Sequence, residues 1–88
     1  MIEKKTWIPF FQLMEAGLKN VDVRLADFDI RDGDIILFRE YDHEKREYTG
    51  RTLKRRVKNI TLVKLTDFNT IGEILNYGHY IIELDEVS

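Results

Sequence analysis

The 88-residue sequence predicts an α+β fold: a small, mostly antiparallel curled sheet with an N-terminal helix and one short second helix. Three observations predict it. Helical spacing of apolar residues is confined at the N-terminal side to a stretch ahead of Gly17, and it gives way at once to period-2 alternation. Turn and loop signals then recur at hairpin-length intervals, at Asp32-Gly33-Asp34, Asp42–Glu47 and Asn76–His79. An apolar content of 43% is enough for one modest core, so residues 1–88 are expected to form a single domain.

Met1–Lys5 reads as a polar lead-in. From Thr6 to Ala16, the residues Phe10, Leu13, Met14 and Gly17 fall at i, i+3, i+4 and i+7, which is one helix face. Pro9 fits only a first turn, so the helix is expected to start close to it. Trp7 and Phe11 widen the apolar surface, and the aromatic cluster reads as core rather than as a base-stacking platform. Gly17 stands where the helix stops, because glycine tolerates the left-handed conformation that follows a last helical turn.

Asn20–Leu25 alternates as a strand, with Val21, Val23 and Leu25 expected on the core face and Asn20, Asp22 and Arg24 on the other. Asp22 and Arg24 are two residues apart, close enough to pair, and Lys19 enters at the joint between helix and strand. A polar strand face beside a helix end is a candidate binding wall. The competing reading is a solvated face with one ion pair, worth at most about 1 kcal/mol.

Ala26–Arg31 is a polar connection with Phe28 and Ile30 as anchors, and the aspartates of Asp32-Gly33-Asp34 can close that turn onto backbone amides. Ile35-Ile36-Leu37-Phe38 reads as a strand covered on both faces, running to Tyr41, with Asp42–Glu47 as a charged hairpin tip. Tyr48-Thr49-Gly50 restarts the extended chain. Arg51–Val63 alternates unevenly, and Arg51, Lys54, Arg55, Arg56 and Lys58 lay charge on both of its faces. One face lines a groove on the first reading; on the second the segment is an edge strand guarded by charge. Thr70-x-x-Glu73 has capping-box spacing for the second helix. His79–Leu84 closes the fold as a strand with Tyr80, Ile82 and Leu84 inward.

The net charge of -2 conceals three blocks. Residues 1–44 carry six basic and ten acidic groups, residues 45–64 carry eight basic groups against Glu47 alone, and residues 65–88 carry five acids and no base. A cationic block of this kind attracts a polyanion locally, since screening limits the field to about 8–10 Å. The absence of cysteine excludes a disulfide framework and thiolate chemistry and fits a cytoplasmic location. His43 and His79 have no metal-ligand spacing around them, so neither a metal nor another cofactor is expected. No apolar run reaches the roughly 18 residues of a membrane span, and no signal-peptide pattern is present.

Several motifs taken together resemble one family. They are a helix ending Ala16-Gly17-Leu18-Lys19, then Val21-Asp22-Val23-Arg24, then Asp32-Gly33-Asp34 leading into an apolar strand with Glu40-Tyr41. Tyr48-Thr49-Gly50 and a closing Gly78–Leu84 strand complete the set, which spans about residues 7–84. The combination is similar to the ASCH (activating signal cointegrator homology) domain of the PUA-like superfamily, in its short stand-alone bacterial and phage type. The most specific feature is that family's G-x-K-x-x-E-x-R pattern, met by Gly17, Lys19 and Arg24, with Asp22 in place of glutamate. The exchange keeps the charge and shortens the reach by one methylene.

The resemblance implies a small β-barrel with a helix near its mouth, a cleft lined by this motif, and nucleic acid, chiefly RNA, as the ligand class. Some small members are amidohydrolases that remove an acyl group from modified cytidine with a lysine, a threonine three residues after it, and a separate glutamate. Lys19 matches the first; Asp22 occupies the threonine's place; Glu40 and Glu83 are candidates for the last.

The expected function is therefore a non-catalytic RNA- or nucleotide-binding module. Lys19 and Arg24 would contact phosphate or a base edge, and Asp22 would orient Arg24 or accept from an exocyclic amine. Arg51, Lys54, Arg55 and Arg56 would extend the cationic surface. Tyr41 or Tyr48 would stack a splayed base unless both are half-buried strand residues. Thr49 would approach from a neighbouring strand. The alternative is a small amidohydrolase acting on an acylated cytidine. No membrane partner is expected, and nothing in the sequence points to a protein partner.

Overall fold

Ile2–Trp7 is the first strand of the sheet (β1), where Met1–Lys5 was expected as a lead-in and Thr6 and Trp7 as part of the helical stretch. The computed structural model describes residues 1–64 and 78–87. Among these residues five strands make one sheet, namely β1, β2 (Val21–Leu25), β3 (Ile35–Asp42), β4 (Glu47–Val63) and β5 (His79–Glu86), in the order β1-β3-β4-β5-β2. Only β1 and β3 run parallel; the other three pairings are antiparallel. Among the described residues the single helix is α1 (Ile8–Glu15), and the second helix expected at Thr70–Glu73 falls outside them.

The sheet curls into a half-barrel. Its edge strands β1 and β2 come close enough for the Arg24 side chain on β2 to reach both the Lys5 carbonyl and the Thr6 hydroxyl on β1. That seam is closed by side chains rather than by a strand ladder. The concave face is apolar over most of its area, where Met14 of α1 packs with Ile36, Phe38, Val57, Ile82 and Leu84. Phe28 and Ile30 add to this core as expected of anchors, and Tyr80 donates its hydroxyl to the Phe28 carbonyl.

Helix α1 begins at Ile8 with Pro9 in its first turn and ends as Gly17 predicts. Gly17 has φ +77°, its amide donates to the Met14 carbonyl, and the Leu18 amide reaches back to Leu13. That pair of bonds is a Schellman stop, which satisfies orphan carbonyls of the last turn. The buried face is Phe11 and Met14, not the expected Phe10–Leu13–Met14 stripe; Phe10 and Leu13 are exposed.

The largest departure lies in β2. Val21, Val23 and Leu25 were expected inside, yet Val23 is 57% exposed while Asp22 is only 6% exposed. Alternation is present, but with the opposite face inward. β4 also differs from one of its two readings: it pairs with β3 on one side and β5 on the other, so it is no edge strand.

Candidate functional site

The inverted β2 places a carboxylate and a guanidinium inside the seam. Arg24 donates from Nε to Asp22 Oδ2 at 2.6 Å, from Nη1 to the Lys5 carbonyl at 2.8 Å and from Nη2 to Thr6 Oγ1 at 3.0 Å. The planar guanidinium thus spends three donors on fixed partners, which locks its orientation. Among the described residues, Asp22 Oδ1 has no hydrogen-bond donor, and no buried side-chain polar atom is left unpaired.

A cavity of about 420 Å³ opens over this pair, lined by Lys5, Thr6, Trp7, Phe10, Lys19, Asp22, Val23 and Arg24. Arg24 and Lys19 bring two cationic side chains to the wall that holds the Asp22 carboxylate, and Lys5 contributes the backbone carbonyl that Arg24 binds. Trp7 and Phe10 are 47% and 49% exposed. They stand where β1 passes into α1, so ring surface borders the cavity instead of joining the core. Lys19 follows the Schellman stop directly, its amide held by the Leu13 carbonyl and its ammonium 5.9 Å from the Phe10 ring centroid.

A second polar group lies next to the first, because Thr6 on β1 is the register partner of Glu40 on β3. Glu40 is buried, accepts from Thr49 Oγ1 at 2.7 Å, and lies 3.5 Å from Arg51 Nη1. A bulge creates this contact: between Arg39 and Tyr41 the register jumps, so that Thr49, Gly50 and Arg51 all oppose Glu40. Gly50 carries the turn at φ +92°, and both flanking side chains come round to the same carboxylate. Bulges commonly re-aim side chains in this way. Arg51 also pairs with Glu15 at the end of α1. That hydrogen bond lowers the Glu15 pKa and raises that of Arg51.

The residues expected at one site thus divide among three places. Lys19, Asp22 and Arg24 meet in the seam cavity. Thr49 and Arg51 are engaged with Glu40, and Arg55 donates to the Met14 carbonyl at the end of α1, so these cations fasten the helix. Tyr41, Tyr48, Lys54 and Arg56 lie on the convex face, as the register pairs Tyr41–Tyr48, Leu37–Lys54 and Ile35–Arg56 show. Glu83 is exposed opposite Val21 and takes no part in the cavity.

Sequence reasoning missed Lys5, Thr6, Trp7 and Phe10 as cavity residues. The alternation Ile2, Lys4, Thr6 was the available signal, and the aromatic residues beside it had been assigned to the core.

Among the described residues there is no cluster of acidic or histidine side chains suited to a metal ion, and no helix is long and apolar enough to cross a membrane. No curated protein matches the sequence. The model of DUF3850, a domain of unknown function, matches residues 2–72. That span takes in the seam cavity, the Glu40 bulge and all of β1–β4, and the chain belongs to the DUF3850 family.

Proposed function

We propose that the seam cavity binds a nucleotide, either free or as the terminal residue of single-stranded RNA. The observation that carries this reading is the combination of half-exposed rings with a fixed polar floor. Trp7 and Phe10 offer flat apolar surface at the rim, Lys19 supplies a cation beside it, and the Asp22–Arg24 pair lies below. Bases splayed from a strand are held in this manner, by stacking and by hydrogen bonds to their edges. Among the described residues no donor reaches Asp22 Oδ1, so a base with an exocyclic amine, such as cytosine, is favoured over uracil. Lys19 takes the phosphate. The resemblance of Gly17, Lys19, Asp22 and Arg24 to the ASCH pattern supports the same ligand class.

The test is calorimetric titration with cytidine monophosphate and uridine monophosphate. The reading expects binding of the cytidine nucleotide, weaker binding of the uridine nucleotide, and a loss of about ten-fold on Lys19→Ala, which corresponds to one charge-assisted contact. Absence of binding for both nucleotides at millimolar concentration overturns it.

One observation favours a hydrolytic reading, the Thr49 hydroxyl donating to the buried Glu40 carboxylate at 2.7 Å. A hydroxyl beside a carboxylate is the beginning of an activated nucleophile. Neither residue lines the seam cavity, however, and Lys19 does. The binding reading is therefore the stronger of the two.

A further inference from the structure

The convex face carries a patch that the seam cavity does not explain. Register pairing sets Trp7, Tyr41 and Tyr48 side by side across β1, β3 and β4. The next row along the strands is Lys5, Arg39 and Thr52, and beyond it Lys54 lies opposite Leu37 and Arg56 opposite Ile35. Neighbouring strands are about 4.8 Å apart, so the three rings span roughly 10 Å.

The cations rest on the rings. Lys5 Nζ is 4.2 Å from the Tyr41 centroid and the Arg39 guanidinium is 4.1 Å from that of Tyr48, while Tyr41 and Tyr48 meet edge to face at 5.1 Å. Trp7 stacks with His43 at 4.3 Å. Among the described residues, Lys5, Arg39, Lys54 and Arg56 form no ion pair, although Glu3 shares the face with Lys54 and Asp85 stands opposite Arg56. A row of rings bordered by unpaired cations is charge-complementary to a strand of phosphates whose bases need a stacking surface.

From this juxtaposition we propose that the convex face binds the body of a single-stranded nucleic acid whose terminal nucleotide occupies the seam cavity. The proposal rests on the cavity's being a nucleotide site. Lys5 and Trp7 connect the two surfaces, since both line the cavity and both belong to the convex rows. A base arriving on Tyr48 displaces the Arg39 side chain from the ring, and the freed guanidinium meets a phosphate. The exchange is favourable because stacking a base on a ring exceeds an exposed cation–π contact. Lys54 and Arg56 continue the phosphate track away from the rings.

The experiment compares two probes on the full chain, cytidine monophosphate and a fluorescent hexamer of cytidine ribonucleotides. Tyr48→Ala should weaken hexamer binding about ten-fold and leave monophosphate binding unchanged, with the melting temperature as a control for folding. The double variant Lys54→Ala, Arg56→Ala should reduce the slope of log affinity against log salt by about 1.4, as expected for two lost phosphate contacts on a single strand. A deoxyribose hexamer that binds equally well supports the proposal, because ring faces and phosphates do not read the 2′-hydroxyl. Convex-face variants that leave hexamer affinity intact while Lys19→Ala weakens it overturn the proposal and leave the cavity reading standing. Failure of the unaltered chain to bind either probe removes the cavity reading itself.

Discussion

Replacing Arg24 by methionine keeps an unbranched apolar stem of similar reach and removes the guanidinium that closes the seam. Three hydrogen bonds go with it, the shortest at 2.6 Å to an Asp22 carboxylate that is 6% exposed. Breaking a buried ion pair from one side costs about 3–5 kcal/mol, mostly because a charge is left without its partner. The Arg24 side chain is 23% exposed, so water already screens part of the pair, and about 2–3 kcal/mol is the expected loss. For a domain of this size that is a fall of roughly 10–20 °C in melting temperature.

Urea unfolding followed by circular dichroism measures the loss directly. The double variant Asp22→Asn, Arg24→Met should recover about half of it, since a neutral amide has no charge to strand. An Arg24→Met variant within about 0.5 kcal/mol of the unaltered chain, the size of an ordinary surface change, would refute the idea that this side chain holds the two edge strands together. A double variant no more stable than the single one would refute the electrostatic part of it.

The remaining predictions concern the bulge, the helix anchor and catalysis. Gly50→Ala meets open space but forces an alanine to φ +92°, so it should cost about 1–2 kcal/mol in urea unfolding through the backbone alone. The Glu15 carboxyl, titrated by NMR, should show a midpoint below that of an exposed glutamate and return to it in Arg51→Met. Because the folded pKa is lowered, the pair's contribution is complete above the unfolded carboxylate value. It is lost as pH falls through the lowered one, and it is small because both groups are largely exposed. Incubation with acetylated cytidine should give no deacylation above background. Turnover abolished by Lys19→Ala or Thr49→Ala would instead establish the hydrolytic reading.

Local features were legible in the sequence and long-range ones were not. Gly17 announced the helix stop and Asp32-Gly33-Asp34 the turn, where Asp34 Oδ2 accepts from the Arg31 amide, because both depend only on neighbouring residues. Tyr80, Ile82 and Leu84 face inward as their alternation required. β1 escaped notice because Ile2 is its one aliphatic residue after Met1 and its partner, β3, is distant in sequence. The Glu40 bulge escaped because register shifts are decided by pairing, and Gly50 alone does not reveal one.

The reversal of β2 shows what the candidate site depends on. Period-2 alternation says that two faces differ, but a strand's inward face is decided by what stands across from it. Val21, Val23 and Leu25 would win that contest against a polar row facing water. Here the polar row finds Thr6 and the Lys5 carbonyl on β1, so Arg24 has fixed protein partners on the inward face. Asp22 Oδ2 accepts from Arg24 in turn, and Ile82, its register partner on β5, is fully buried. A strand that gives up apolar burial to bring an acid and a base inward gains a polar floor under a 420 Å³ cavity. The same inversion leaves three aliphatic side chains exposed on the outside of β2. The sacrifice is local and sits at the seam, where the edge strands β1 and β2 face each other through side chains instead of a hydrogen-bonded ladder.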